Sequence, residues 1–286
     1  MTVRDAQAWA QTELTGTGID SPRRDVQLML CWLLKCRRED LLRDPDRVLD
    51  AREELIFRKA IALRVLRRPV PYITGETYFH GLRFRINRAV LIPRPETEQL
   101  VECAVAHARG IDRPSIADIG TGSGCIAVSV AVALPHAQVT ASDISPLALL
   151  LAKKNVALHG VQNRVKLLEG DLLGPLGAVR QHIIVSNPPY VRTAEINALE
   201  PEVRDYEPRL ALDGAETVGE DGTALHARLM RDAPAHLTPG GWLIMEIGSD
   251  QSDAILEMAH HYGFVNSTVE PDFAGKPRMF VGQAPL

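Results

Sequence analysis

The sequence predicts an α/β protein, a Rossmann-like and mostly parallel sheet flanked by helices, preceded by a small helical bundle. Three observations carry that expectation. A short apolar run, Ser115-Ile116-Ala117-Asp118-Ile119, leads through the turn Gly120-Thr121-Gly122-Ser123-Gly124-Cys125 into a helix-like apolar stretch at 126–131. Strand, glycine-rich turn and helix is the arrangement that lets a backbone approach a nucleotide-type ligand closely. A second β-type run, His182-Ile183-Ile184-Val185-Ser186, ends at Asn187-Pro188-Pro189-Tyr190. The first 70 residues, in contrast, carry dense apolar segments of helical character.

Taken in order, residues 1–70 read as helices. Val26, Leu28, Met29, Leu30, Trp32, Leu33 and Leu34 form one apolar segment, and residues 53–66 form another through Leu55, Ile56, Ile61, Leu63 and Leu66. Ser21-Pro22 reads as a helix start, with serine as cap and proline in the first turn, and Asp44-Pro45-Asp46 as a break. Residues 71–95 form a link in which 77–84 and 85–92 suit a β-hairpin. From 96 to 286 strands and helices alternate, with Arg278-Met279-Phe280-Val281 as a late strand, antiparallel to its neighbours. Residues 191–222 make a long, charge-rich connection. Such loops in compact domains are usually functional or disordered, and this one reads as a substrate-facing lid with short helical turns.

Asn187-Pro188-Pro189-Tyr190 cannot prolong its strand. Each proline lacks an N–H, and each residue before a proline is pushed toward extended geometry. The chain is held stiffly just past a strand's carboxyl end, where open α/β sheets bind ligands. Asn187 offers a side-chain amide and Pro188 a backbone carbonyl, acceptors suited to gripping an –NH2 group, and Tyr190 a flat surface beside them. In the glycine turn the spacing is G-x-G-x-G, an acid (Asp118) sits two residues before Gly120, and a second acid, Asp143, ends the run Gln138-Val139-Thr140-Ala141-Ser142. A carboxylate at the Asp143 position can accept both hydroxyls of a ribose. Asp118 orders the loop and favours a cationic ligand, so a sulfonium cofactor suits this field better than a pyrophosphate, although G-x-G by itself also fits a dinucleotide enzyme.

Composition bounds the rest. A chain of 286 residues with 45% hydrophobic and 24% charged residues is an ordinary globular protein of one or two domains. There is no apolar run of membrane length and no signal-peptide pattern. Cys31, Cys36, Cys103 and Cys125 include no C-x-x-C pair, so reduced thiols, a cytoplasmic location and no structural zinc are expected. Residues 1–70 hold 14 basic and 11 acidic residues, and the remainder 18 and 25. Neither part carries the strongly basic character of a nucleic-acid-binding domain.

These motifs, Asp118 to Gly124, Asp143 and Asn187 to Tyr190, resemble those of the class I S-adenosylmethionine-dependent methyltransferases. The Asn-Pro-Pro-Tyr form is shared by enzymes that methylate planar –NH2 nitrogens of adenine, cytosine or glutamine. Val90-Leu91-Ile92-Pro93-Arg94-Pro95-Glu96-Thr97-Glu98 is similar to the signature of the PrmC/HemK family of release factor N(5)-glutamine methyltransferases. Pro71-Tyr72-Ile73-Thr74-Gly75, Phe79-His80-Gly81-Leu82-Arg83-Phe84 and Trp242-Leu243-Ile244-Met245-Glu246-Ile247-Gly248 resemble further segments of that family. The resemblance implies S-adenosylmethionine as cofactor, S-adenosylhomocysteine as product, and release factors as protein partners, with no direct nucleic-acid contact. It implies residues 1–70 as a substrate-docking domain, 71–95 as linker and 96–286 as the catalytic domain. It places the cofactor on Asp118, Gly120, Thr121, Gly122, Ser123, Gly124, Asp143, Asp171, Leu172 and Asn187, and the acceptor amide on Asn187, Pro188, Pro189 and Tyr190. One departure stands at Leu172, where some members carry an aromatic residue against the adenine. Aliphatic contact is expected there. A ribosomal-protein glutamine methyltransferase and a nucleic-acid amino-methyltransferase that flips its target base share the same acceptor logic.

Overall fold

The structure, a computed structural model, describes residues 1–286. The chain forms two compact units. One comprises Met1–Glu76 together with Glu200–Tyr206, and the other Thr77–Leu199 with Glu207–Leu286.

The first unit is helical: α1 (Val3–Leu14), α2 (Pro22–Leu34), α3 (Arg38–Arg43), α4 (Ala51–Val65) and α5 (Val70–Thr74). In α1 the buried residues Val3, Ala6, Ala10 and Leu14 recur at helical spacing. They meet Val26, Met29, Leu30, Phe57 and Ile61 in one core. Capping boxes start two of these helices, Thr2 with Asp5 and Asp50 with Glu53, each satisfying N–H groups the first turn leaves open. Ser21 differs from expectation. Proline does stand in the first turn of α2, but the serine side chain makes no capping hydrogen bond. Its backbone, at φ −131° and ψ 62°, is outside the extended geometry that an N-cap normally uses. The segment Glu200–Tyr206 is bound into this unit by charge. Arg64, 6% exposed, pairs with Asp25 at 2.7 Å and with Glu202 at 2.8 Å.

A hairpin follows, β1 (Glu76–Phe79) and β2 (Leu82–Arg85), turning at His80-Gly81, and all of it but Glu76 belongs to the second unit. The strand expected over 85–92 does not form. Asn87 accepts the Ala89 N–H on its side chain (2.9 Å) and the Val90 N–H on its carbonyl (3.3 Å), which turns the chain. Then follow α6 (Glu98–His107), β3 (Ser115–Ile119), α7 (Cys125–Ala133), β4 (Gln138–Asp143), α8 (Pro146–Leu158), β5 (Val165–Glu169) and β6 (Gln181–Ser186). After the helical turn α9 (Pro201–Arg204) of the first unit come α10 (Ala224–His236), β7 (Leu237–Glu246), α11 (Ser252–His261), β8 (Val265–Pro271) and β9 (Pro277–Gln283).

The sheet runs β5-β4-β3-β6-β7-β9-β8. Pairings from β5 to β7 are parallel, and β9 is antiparallel to both β7 and β8. The strands β3, β6 and β7 are buried on both faces through Ile116, Ala117, Ile183, Ile184, Leu243 and Ile244, which is why they read as continuous apolar runs. The order reverses at β3, which has β4 on one side and β6 on the other. A crevice at the carboxyl ends of the strands is expected at such a switch point. No helix is long and apolar enough to cross a membrane.

Candidate cofactor and acceptor site

The glycine turn is shaped from beneath. Asp118, at the end of β3, is completely buried. Its Oδ2 accepts the Thr121 hydroxyl at 2.6 Å and the Ala127 N–H at 3.0 Å, tying the turn to the start of α7. Burial pushes its carboxyl up to about 7, and those two hydrogen bonds restrain the rise. Asp118 does not line the crevice; it acts on the loop. Gly120, Gly122 and Gly124 have φ of 72°, 55° and 80°, the left-handed region that favours glycine. They differ in what surrounds them. A Cβ at Gly124 would stand 3.2 Å from the Ala152 Cβ of α8, whereas one at Gly120 or Gly122 would meet nothing within 4 Å. Gly124 thus serves close helix packing, and the first two keep the turn open toward the crevice they line.

At the end of β4, Asp143 Oδ2 accepts the Gly122 N–H and Oδ1 accepts the Ser145 N–H, both at 2.8 Å. Each carboxylate oxygen retains a further lone pair. Burial raises this carboxyl above its ordinary range, and the same N–H groups oppose the rise. Beyond β5, Asp171 is ion-paired to Arg228, and Leu172 adopts φ 45°, an uncommon conformation for a non-glycine residue. Asp143, Asp171, Leu172 and Arg228 all line the crevice.

Asn187 follows β6 directly. Its Nδ2 donates to Thr97 Oγ1 at 3.1 Å, and that hydroxyl donates to Glu246 Oε2 at 2.6 Å. The other carboxylate oxygen, Oε1, accepts the Tyr190 hydroxyl at 2.9 Å. Arg278 Nη1 lies 3.4 Å from the Tyr190 oxygen and donates to the Ile247 carbonyl at 3.2 Å. Thr97 and Glu246 are each 2% exposed. Burial pushes the Glu246 carboxyl up; the hydroxyls of Thr97 and Tyr190 and the charge of Arg278 pull it down. Burial likewise raises the Tyr190 hydroxyl. Asn187 and Pro189 line the crevice, but Pro188 is buried and Tyr190 is turned toward Glu246, away from a lining position.

The crevice has a volume of about 620 Å3, within the range of small-molecule and cofactor sites. Thr121, Ser123, Cys125 and Ile126 line it on the glycine-turn side. The long connection supplies a wall through Pro208, Leu210, Ala211, Gly214, Ala215 and Thr217. That wall is fixed by two buried carboxylates. Glu207 takes the Arg94 guanidinium at 2.6 Å and the Ile92 N–H at 3.3 Å. Asp213 takes Arg209 and, at 3.0 Å, the Thr193 hydroxyl. Arg94 and Glu96 do not line the crevice, though Pro93 and Thr97 beside them do.

The individual roles of Thr97, Glu207, Arg228, Glu246 and Arg278 are not legible in the sequence. Thr97 and Glu246 lie inside family-like segments, yet their pairing spans 149 positions and leaves no local pattern.

Residues 5–75 match the family model described as the PrmC N-terminal domain, and residues 96–214 the methyltransferase small domain. The chain is 41% identical to the release factor glutamine methyltransferase of Geobacter sulfurreducens over 282 residues, covering 99% of this chain and 96% of that one. It is 41% identical to the enzyme of that name from Koribacter versatilis over 286 residues, covering 100% and 99%. The Vibrio cholerae protein of that name is 36% identical over 284 residues, covering 99% and 97%. Among solved structures, a methyltransferase from Pyrococcus furiosus superposes with a TM-score of 0.53 at 17% identity, covering 79% of this chain and 98% of that one, a likeness of fold.

Proposed function

The chain belongs to the release factor glutamine methyltransferase family, and on that premise we propose that it moves a methyl group from S-adenosylmethionine to the side-chain amide nitrogen of the glutamine in the Gly-Gly-Gln loop of peptide chain release factors. The observation that carries the reading is the meeting, in one crevice, of the open glycine turn and Asp143 with Asn187 of the Asn-Pro-Pro-Tyr turn.

The residues fit the cofactor. Gly120 and Gly122 leave space where side chains would otherwise stand, Asp143 keeps lone pairs for ribose hydroxyls, and Leu172 and Ile126 offer aliphatic surface to an adenine. When bound, S-adenosylmethionine supplies an electrophilic methyl group on a sulfonium. Of the two acids only Asp143 lines the crevice, where its carboxyl suits a ligand of positive charge; Asp118 contributes by ordering the turn.

The chain's own contribution concerns the acceptor. A carboxamide nitrogen is a poor nucleophile, because its lone pair is shared with the carbonyl, but its two N–H groups are good donors. Asn187 Oδ1 accepts one of them, with the backbone carbonyl of Pro188, adjacent in the chain though not itself lining the crevice, as the second acceptor, which fixes the nitrogen and aims it. Such alignment supplies several kcal/mol of a barrier, and the same acceptors stabilise positive charge developing on nitrogen. No base is needed before transfer, since the proton leaves afterwards. Residues 1–70 serve as the docking surface for the protein substrate, and the connection over 191–222 as a substrate-facing wall.

The test is direct. Purified enzyme is incubated with labelled cofactor and, separately, release factor, ribosomal proteins, DNA and RNA. Label on the release-factor glutamine, seen as one added methyl on its tryptic peptide, is the expected result. Label on adenine in DNA with none on release factor overturns the proposal.

A further inference from the structure

The hydrogen bonds beneath Asn187 have a direction, and it is set from the far end. An ionised carboxylate only accepts, a threonine hydroxyl has one proton to give, and a primary amide is a donor on one side and an acceptor on the other. Glu246 receives the Thr97 proton at 2.6 Å. Thr97 Oγ1 can then only accept from Asn187, and it does so from Nδ2 at 3.1 Å. Were the amide turned over, two acceptor oxygens would face one another inside a buried site, which costs about 1–3 kcal/mol. Nδ2 is therefore held inward, and Oδ1 is the group Asn187 offers to the crevice that it lines.

Glu246 also holds the other end of the turn. Its second oxygen takes the Tyr190 hydroxyl at 2.9 Å; burial raises the Glu246 carboxyl, and the two hydroxyls and the charge of Arg278 oppose that rise and favour the ionised form. A buried charge left unpaired would be expensive, so the pairing of Glu246 with two hydroxyls and a nearby guanidinium is a built arrangement.

We infer that Glu246 and Thr97 are positioning residues for methyl transfer, setting the sense of the Asn187 amide so that an acceptor, and not a donor, meets the incoming –NH2 group. The inference rests on the proposed glutamine acceptor. It adds that the polarity of Asn187 is imposed by a carboxylate two hydrogen bonds away. In this role both act through Asn187, although Thr97 also lines the crevice. Glu246→Gln keeps the shape but gives the site a donor. Thr97 can then accept from that donor and turn its proton toward Asn187, which removes the reason for Nδ2 to point inward. Thr97→Val removes the hydroxyl in nearly the same shape, and Thr97→Ser keeps it.

The experiment compares these three full-length variants with wild type in single-turnover methylation of release factor, with calorimetric binding of S-adenosylhomocysteine and thermal melts alongside. Thr97→Val and Glu246→Gln should lose about 10- to 100-fold in transfer rate, approaching the loss of one preorganised transition-state partner. Cofactor affinity and KM for release factor should stay close to wild type, and Thr97→Ser should keep most of the rate. The side-chain N–H signals of Asn187 in a 15N spectrum, identified by their loss in Asn187→Asp, should shift in Thr97→Val and persist in Thr97→Ser. This readout needs no substrate. Wild-type rates in both Thr97→Val and Glu246→Gln overturn the inference. So does equal loss in Thr97→Ser and Thr97→Val, or a parallel loss of cofactor affinity, since either would mean packing alone. If wild type leaves release factor unlabelled, the substrate reading fails, and the Asn187 signals decide the positioning claim by themselves.

Discussion

The carboxylate of Asp143 accepts the Gly122 N–H at 2.8 Å, joining the end of β4 to the middle of the glycine turn. One side chain thus shapes the turn and faces the crevice. Asp143→Ala removes both a partner of the turn and an acceptor for a ribose. Binding of S-adenosylmethionine should weaken by about 1–3 kcal/mol, read by calorimetry. Unchanged affinity, or a preference for a nicotinamide dinucleotide, would remove the cofactor assignment.

Gly124 and Gly122 share a left-handed backbone but differ in surroundings, and their alanine variants should differ accordingly. Gly124→Ala brings a Cβ to 3.2 Å from Ala152 at φ 80°, so strain and contact add, for a loss of about 1–3 kcal/mol. Gly122→Ala meets nothing within 4 Å and should lose only the backbone part, about 1 kcal/mol. Urea denaturation separates the two. An equal loss would show that the approach of α8 to the turn is not a tight one.

Asp118 should mark the pH dependence of stability. Its carboxyl titrates at about 7 in the folded chain against an ordinary 3.8, so the native state binds the proton more strongly than the unfolded state does. The stabilising contribution is complete below about pH 4 and is lost as pH rises through 7. Asp118→Asn removes this titration while keeping an acceptor for Thr121 and Ala127. Denaturation at pH 4.5 and 7.5 should show a steeper decline in wild type than in the variant, by on the order of a few kcal/mol. Parallel declines would place the titration elsewhere.

Much of this architecture is legible in the chain. Ser115–Ile119 is read to the residue because a strand buried on both faces is a continuous apolar run bounded by glycine. Gly120, Gly122 and Asp143 are found because a turn with positive φ and a carboxylate at a strand end each demand particular residue types. Side-chain direction is not legible. Tyr190 reads as a flat surface for the acceptor, but its hydroxyl is held by Glu246, and nothing near position 190 announces that partner. Asp118 reads as a residue that orders the glycine loop and also faces the cofactor; it does the first, through hydrogen bonds to Thr121 and Ala127, but lies buried and off the crevice. The strand expected over 85–92 yields to the Asn87 turn, because an Asn side chain that mimics a backbone carbonyl can outcompete ladder pairing.

The docking role of residues 1–70 has its own test. Glu202 is paired to Arg64 and Arg67, so deletion of residues 1–70 is combined with Glu202→Gln to avoid stranding a charge. Cofactor binding should remain close to wild type, methylation of whole release factor should fall sharply, and methylation of a short glutamine peptide should fall much less. Equal loss on both substrates would mean that the bundle supports the fold alone.

The central claim is that Asn187 grips the acceptor amide. Asn187 lines the crevice, and its Nδ2 is fixed on Thr97. Single-turnover methyl transfer to release factor by Asn187→Ala, measured beside cofactor binding, tests it most directly. The rate should fall by about 100-fold or more, as when one preorganised transition-state partner is lost, with cofactor affinity moving far less. An alanine enzyme that transfers methyl groups at the wild-type rate would reduce Asn187-Pro188-Pro189-Tyr190 to a rigid turn and contradict the account.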